Sequence, residues 1–367
     1  MQVAPNTSDT YFKKLDGLRF FAVLAILGVH WVKFSALPQI QYIAADFAID
    51  LFFVLSGFLI SRSLLIDKIA IERGHKNKLT TLILFYIRRV LRIFPIYYLF
   101  ITACVCFNVS NSREIYPWLF TFTTNFFNLN NELPSIFNHL WTLAIEEQFY
   151  LLFPFFVLWI PMRLMKPFFY GGILLAIVSR IIALYYFNLP KAAFLFPFCC
   201  SDAFSVGALI AYYLVMEKSL ETILSKPYIL YSSGGLFIIC CYRFIFIGAE
   251  DALALSIFRL CISGLCLWIV CNCLSNKQTG IVYWVLESRI IRYIGKVGYG
   301  VYLYHVMAPI ITNYLIQQLD LFSTMHFARS FIILLMNFLI TLVIASLSWY
   351  LIETPIQHFK KRFVSAT

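Results

Sequence analysis

Charged side chains are scarce in this chain. Only 13% of its 367 residues are Asp, Glu, Lys or Arg, where a soluble domain would carry roughly twice that share. Internal repeats and low-complexity tracts are missing too, which leaves a single domain as the expectation. The ten cysteines form no C-x-x-C pair and no Cys/His cluster with ligand spacing, so neither a metal site nor a thiol redox centre is expected. Most lie inside apolar runs and read as small buried hydrophobes.

What the chain does have is 61% hydrophobic and 18% aromatic residues. Apolar runs of about 20 residues recur along its length, each enough to cross roughly 30 Å of hydrocarbon. The expected fold class is therefore all-α, a polytopic membrane protein. Ten spans are expected, at about 17–35, 47–65, 88–107, 142–160, 168–188, 196–216, 229–247, 253–274, 297–317 and 331–352. The domain reading is a short N-terminus at 1–15, one transmembrane domain at 16–355 and a basic tail at 356–367.

The net charge of +11 does not point to nucleic acid, because of where it falls. Lys13, Lys14, Lys68, Arg73, Lys76, Lys78, Arg88, Arg89, Arg92, Arg163, Lys166, Lys218, Lys226, Lys277, Arg289, Arg292, Lys296 and the tail Lys360, Lys361 and Arg362 sit in the loops of one side. The opposite loops hold Arg113, Lys191 and Arg329. Excess Lys and Arg marks the cytoplasmic side, so both termini are expected there. Lys13 and Lys14 ahead of an apolar run also suit a signal peptide. Arg19 inside the run and the lack of a small-x-small cleavage site favour a retained helix instead. The longest outer segment, about 108–141, mixes Asn, Pro and aromatics and is expected to hold a short interfacial or re-entrant element.

With that orientation, depth becomes a coordinate. The stretch DGLRFFAVLAILGVHW places Arg19 near the cytoplasmic face and His30 eleven residues on, roughly 16 Å farther out at helical rise. Asp50, in FAIDLFFVLSGFLI, is expected in the first turns of the second span, and Glu146 and Glu147 at the outer end of the fourth. A histidine and carboxylates thus gather at one depth, and intramembrane ionisable groups usually face a protein interior or a wet cavity. Glu146 and Glu147 point about 100° apart on a helix, so one of them, preferably Glu146, is expected in the site. Asp50 has a second reading as a partner of the helix dipole. Arg89 and Arg92 lie three apart and can share a helical face on Arg19's side, and arginine suits phosphate. Arg88 is what orientation alone would place there. His139 reads as a structural residue at the interface. Mid-span His305 is either an interhelical hydrogen-bonder or part of a donor path. His75, His326 and His358 read as solvated loop residues. Ser56 and Gly57 lie deeper on the second span, where a small residue permits close backbone approach.

The stretches LDGLRFFAVLAILGVH, FAIDLFFVLSGFLISR, RRVLRIFPIYYL, HLWTLAIEEQFYLLFP, DAFSVGALIAY, GYGVYLYHV and LIETP occur in an order that resembles the acyltransferase 3 family of membrane acyltransferases. The resemblance spans nearly the whole chain. It implies transfer of an acyl group, most simply acetyl, from cytosolic acyl-CoA to a hydroxyl of an extracytoplasmic or lipid-linked glycan such as a surface polysaccharide or lipopolysaccharide. The setting it implies is the bacterial inner membrane. Arg19 and His30 match the family's first-helix motif, and Arg89 and Arg92 its R-x-x-R. In the expected mechanism Arg19, Arg89 and Arg92 hold the CoA phosphates. His30 is the general base, and Glu146 or Asp50 orients its imidazole. Direct transfer and an acyl-histidine intermediate both remain open. Ser56, His305 and Asp202 stand as substrate-binding candidates.

Two departures from the family pattern matter. The Asp of DAFSVGALIAY often follows an arginine in the family, whereas this sequence reads CCSDAF, which weakens the role of Asp202. Many bacterial relatives carry an SGNH-type hydrolase-like domain after the membrane part, and none is read here, so acceptor handling is expected elsewhere. The rival reading is a secondary transporter or flippase with a buried proton relay. It would call for inverted repeats and broken helices near the midplane, neither of which is legible in the sequence.

Overall fold

The computed structural model describes residues 11–32, 38–217, 226–248, 251–275, 280–318 and 329–358, and every regular element among them is helical. Residues 359–367 of the basic tail, His326, Lys218 and Lys277 fall outside these residues. Helix α1 runs Lys13–Trp31 and α2 runs Pro38–Glu72. The second span thus begins well before residue 47, because nothing in QIQYIAADF breaks a helix and Pro38 sits at its first position, where a missing N–H costs nothing. Its 35 residues extend about 52 Å at helical rise, so Asp50 lies in mid-helix and not in the first turns.

Helix α3, Lys78–Cys106, also starts earlier than expected. The Asn77 side chain caps it by accepting from the backbone N–H of Leu79 and Thr80, satisfying two of the orphan donors of a helix start. Arg88, Arg89 and Arg92 are consequently well inside the helix. The 108–141 segment contains the short helices Tyr116–Phe120, Thr124–Asn130 and Ser135–Asn138. Then come α4 (Leu140–Trp159), α5 (Met165–Ile181), the turn Ala192–Leu195, α6 (Ser201–Tyr212), α7 (Pro227–Phe246) and α8 (Ala252–Leu274). After the short helices Ile281–Leu286 and Arg289–Lys296 come α9 (Gly298–Tyr304), α10 (Ala308–Gln318) and α11 (Arg329–Ser348), which runs on into the π-helical turn Trp349–Glu353.

Among the described residues, eight helices are long and apolar enough to cross a membrane, and the protein is an integral membrane protein. Two of the ten expected spans are not among the eight. Helix α1 carries Lys13, Lys14, Asp16 and Arg19 in its first turns. The 297–317 span is not continuous, breaking at His305 into α9 and α10. That break corrects the reading that no broken helix is present.

Helix α2 is the hub, packing against α1, α4, α6 and α8. Its closest neighbour is α6, where Gly57 faces the backbone of Phe204 and Gly207 faces the backbone of Val54 and Phe58. A Cβ at either glycine would collide with main chain that cannot move aside. Small residues at such a crossing let van der Waals packing replace the hydrophobic drive that lipid removes.

Candidate active site

A cavity of about 280 Å³ lies at the Arg19 end of the bundle, between α1, α2, α3, α4, α9 and the region after α11. Its walls bring together Arg19, Arg89 and Arg92, which the sequence places on three different turns of two helices. Lys296 joins them, and Asp16, Glu146, Glu147 and Glu353 face them. The cavity is therefore a balanced ionic site and not a purely basic mouth. Both glutamates of the EE pair line it, which corrects the expectation that only one would enter.

Local contacts fix these side chains. Arg19 bonds Asp16 at 2.5 Å, and Asp16 also accepts from the Tyr11 hydroxyl. Outside the helix, Tyr11 is held above the usual phenol range, first by burial and then by its bond to Asp16. The Arg89 guanidinium lies over the Tyr150 ring, 5.3 Å from its centre. Tyr150 donates to Ser56 Oγ at 3.1 Å, and Ser56 donates to Glu146 at 2.8 Å. Arg89, Tyr150, Ser56 and Glu146 thus form one connected wall.

Thr142 and Tyr302 also line this cavity. The Tyr302 hydroxyl donates to the His139 carbonyl at 2.8 Å and lies 2.6 Å from Thr142 Oγ1. Behind it three imidazoles meet. The His305 ring is 4.7 Å from that of His30 and 5.0 Å from that of His139, both edge-on. His139 and His305 are buried, while His30 is exposed at the end of α1. The His305 Nδ1 lies 2.6 Å from the Tyr302 carbonyl, which can only accept, so Nδ1 is the donor. In the neutral ring that leaves the lone pair on Nε2, an atom with no hydrogen-bond partner among the described residues. The Trp31 indole donates to the His305 carbonyl at 3.2 Å, tying the end of α1 to the broken helix. His139, read from sequence as an interface residue, belongs to this cluster.

Two candidates sit elsewhere. Asp50 is buried and taken up by Arg259 of α8, whose Nε donates to it at 3.0 Å and whose Nη2 makes a second bond. Arg259 Nη1 reaches Cys200 Sγ at 2.9 Å and the Phe194 carbonyl. Asp202 is likewise buried and paired with Arg180 of α5. The arginine missing from CCSDAF is thus replaced in space by one 22 residues earlier. Neither carboxylate touches the imidazoles, and Glu146 is committed to Ser56, so the contacts of His30 come from His305. Sequence reasoning passed over Arg180 and Arg259, although an arginine in the middle of an apolar span is a signal that a buried partner exists.

A family model described as an acyltransferase domain matches residues 12–352. Peptidoglycan O-acetyltransferase OatA of Listeria monocytogenes is 28% identical, the alignment covering 97% of this chain and 57% of that protein. The "Putative peptidoglycan O-acetyltransferase YrhL" of Bacillus subtilis is 26% identical over 95% of this chain and 55% of its own length. The chain therefore spans a little over half the length of these curated relatives. No solved structure matches it. Because the match covers the helices that carry both the arginine-lined cavity and the histidine cluster, the chain belongs to the acyltransferase 3 family.

Proposed function

We propose that the chain is an O-acyltransferase that moves an acyl group, most simply acetyl, from cytosolic acyl-CoA to a hydroxyl of an extracytoplasmic glycan, with peptidoglycan the acceptor suggested by its relatives' names. The observation that carries this reading is that one cavity runs from Arg19, Arg89 and Arg92 to Tyr302, at the foot of the imidazoles. The arginines suit the CoA phosphates through charge-assisted, bidentate bonds. Glu146, Glu147 and Glu353 suit the amide N–H groups of the pantetheine arm, which explains a site of balanced charge. The thioester then lies at the Thr142 and Tyr302 end.

In the proposed step the acceptor hydroxyl attacks the thioester carbon while His30 takes its proton. The new C–O bond forms, the tetrahedral oxyanion collapses and the C–S bond breaks. The departing thiolate takes the proton back from the imidazolium, leaving an ester and free CoA. His305, its tautomer set by the Tyr302 carbonyl, supplies an acceptor nitrogen within the same cluster. Asp50 serves this scheme by holding α2 to α8 through Arg259.

Arg89→Ala or Arg92→Ala should weaken acyl-CoA binding about 10-fold or more, the worth of one charged hydrogen bond, while membrane insertion stays intact. Calorimetric titration in lipid nanodiscs measures it. Unchanged affinity in both variants would remove the donor-phosphate role. The break at His305 is a feature that a secondary transporter would share. Release of free CoA thiol with an acylated glycan supports transfer, and movement of an unmodified glycan across the bilayer supports the rival.

A further inference from the structure

A second cavity, of about 350 Å³, opens at the histidine end of the bundle. It lies between the first turns of α2, the Thr124–Asn130 and Ser135–Asn138 helices, the start of α4, the Ala192–Leu195 turn and the facing ends of α7 and α8. Its volume is that of an ordinary small-ligand site. The half-buried Trp141 supplies a flat apolar wall, and Asp46, Asn128, Asn138 and Lys191 supply polar groups. Asp46 lies one turn before Asp50 on α2, yet Arg259 directs its bonds to Asp50, Cys200 and the Phe194 carbonyl. Asp46 therefore lines the cavity with no hydrogen-bond partner among the described residues. Asn128 Nδ2 donates to Asn138 Oδ1 at 3.2 Å, which orients the Asn138 amide so that its N–H groups remain available.

The position of this cavity matters as much as its lining. Asn138 directly precedes His139, and Trp141 precedes Thr142, a residue that lines the arginine-lined cavity. The two cavities thus meet the two sides of one short segment, His139 to Thr142, with His305 and Tyr302 packed against it.

From this lining and this position we infer that the second cavity is the acceptor site and that it takes one sugar ring. A pyranose offers an apolar C–H face to Trp141, hydroxyl donors to Asp46 and an acceptor oxygen to the Asn138 amide. An acyl chain would leave the Asp46 carboxyl without a hydrogen-bond partner. Lys191 at the rim then favours a ring bearing an acidic substituent. The inference rests on the acyl-transfer reading, because it assigns the acceptor of that reaction.

The test is titration of nanodisc-embedded protein with a soluble N-acetylmuramic acid-containing disaccharide fragment of peptidoglycan. Asp46→Asn and Trp141→Leu should each raise its Kd at least tenfold, Trp141→Phe should restore most of the affinity, and acyl-CoA titration reports folding in the same samples. Asn138→Ala, at an exposed position, provides a variant that folds whatever the others do, and should raise the Kd several-fold. A Kd unchanged in Asn138→Ala and Asp46→Asn overturns the assignment. Thioester cleavage measured alongside separates the two readings. Cleavage with sugar binding indifferent to all these residues rejects the acceptor cavity alone. Trp141-dependent sugar binding without cleavage keeps the cavity as a sugar site, rejects the transfer chemistry and with it overturns the acceptor assignment.

Discussion

Removing Arg259 would leave Asp50 as a bare carboxylate inside the helical core, with one of its oxygens already unpartnered. Breaking a buried pair from one side costs about 3–5 kcal/mol, whereas replacing both partners by apolar residues is often neutral. Arg259→Ala should accordingly melt well below the native protein, and Asp50→Leu combined with Arg259→Met should recover most of the lost Tm. If the double variant also keeps transfer activity, Asp50 is scaffolding; if it is stable and inactive, the carboxylate itself is needed. His30 is a different case, exposed at the end of its helix and outside the donor cavity lining. His30→Asn keeps a polar side chain of similar reach that cannot take a proton near neutral pH. Its transfer rate should fall roughly 100-fold or more while acyl-CoA titration still shows binding. Near-native glycan acylation by this variant would reduce His30 to a packing partner of His305.

Among elements, the α2–α6 contact has no slack, and the same holds where Gly17 of α1 faces the Leu286 backbone and Gly295 faces that of Asp16. Gly57 and Gly207 bring two backbones together, and α2 also carries Ser56 and Asp50. Gly207→Leu should force the helices apart at a cost of about 1–3 kcal/mol or more, lowering Tm and shifting Ser56 relative to Glu146. Gly235→Ala in α7, where an added Cβ meets nothing within 4 Å, is the matching control. It should be neutral or stabilise by up to about 1 kcal/mol through helix propensity. Equal melting of the two variants would show that the close approach is not what holds α6 in place. The break between α9 and α10 has the opposite character, since it leaves the His305 carbonyl to accept from Trp31 and the Tyr302 carbonyl to accept from the His305 ring.

For the whole molecule, the proposed donor and acceptor roles of the two cavities require that they open to opposite sides of the membrane. The loop charges predict which side is which. A reporter fused after Phe363 should read the cytoplasm, and one inserted near Asn130 the other side. Protection of the Phe363 fusion from cytoplasmic labelling would exchange the roles of the two cavities. It would also place CoA, an intracellular metabolite, at the wrong one.

Composition and hydrophobic run length were enough to read an all-helical membrane chain, because the need to satisfy every backbone group in hydrocarbon acts on each segment separately. The shared side of Arg19, Arg89 and Arg92 was legible for the same reason, since depth follows from counting residues along a helix. Helix ends were less legible: α2 and α3 continue past their apolar runs because Pro38 and the Asn77 cap set their starts. The partners of the buried charges were not legible at all. Asp50 and Arg259 are 209 residues apart, and which of several spans an aspartate faces depends on packing around α2, fixed by contacts such as Gly57 against Phe204. His139 and His305 were visible as residues, yet their meeting with His30 depends on the break after Tyr304. A run of apolar residues encodes depth locally, but lateral neighbours are chosen only when the helices pack.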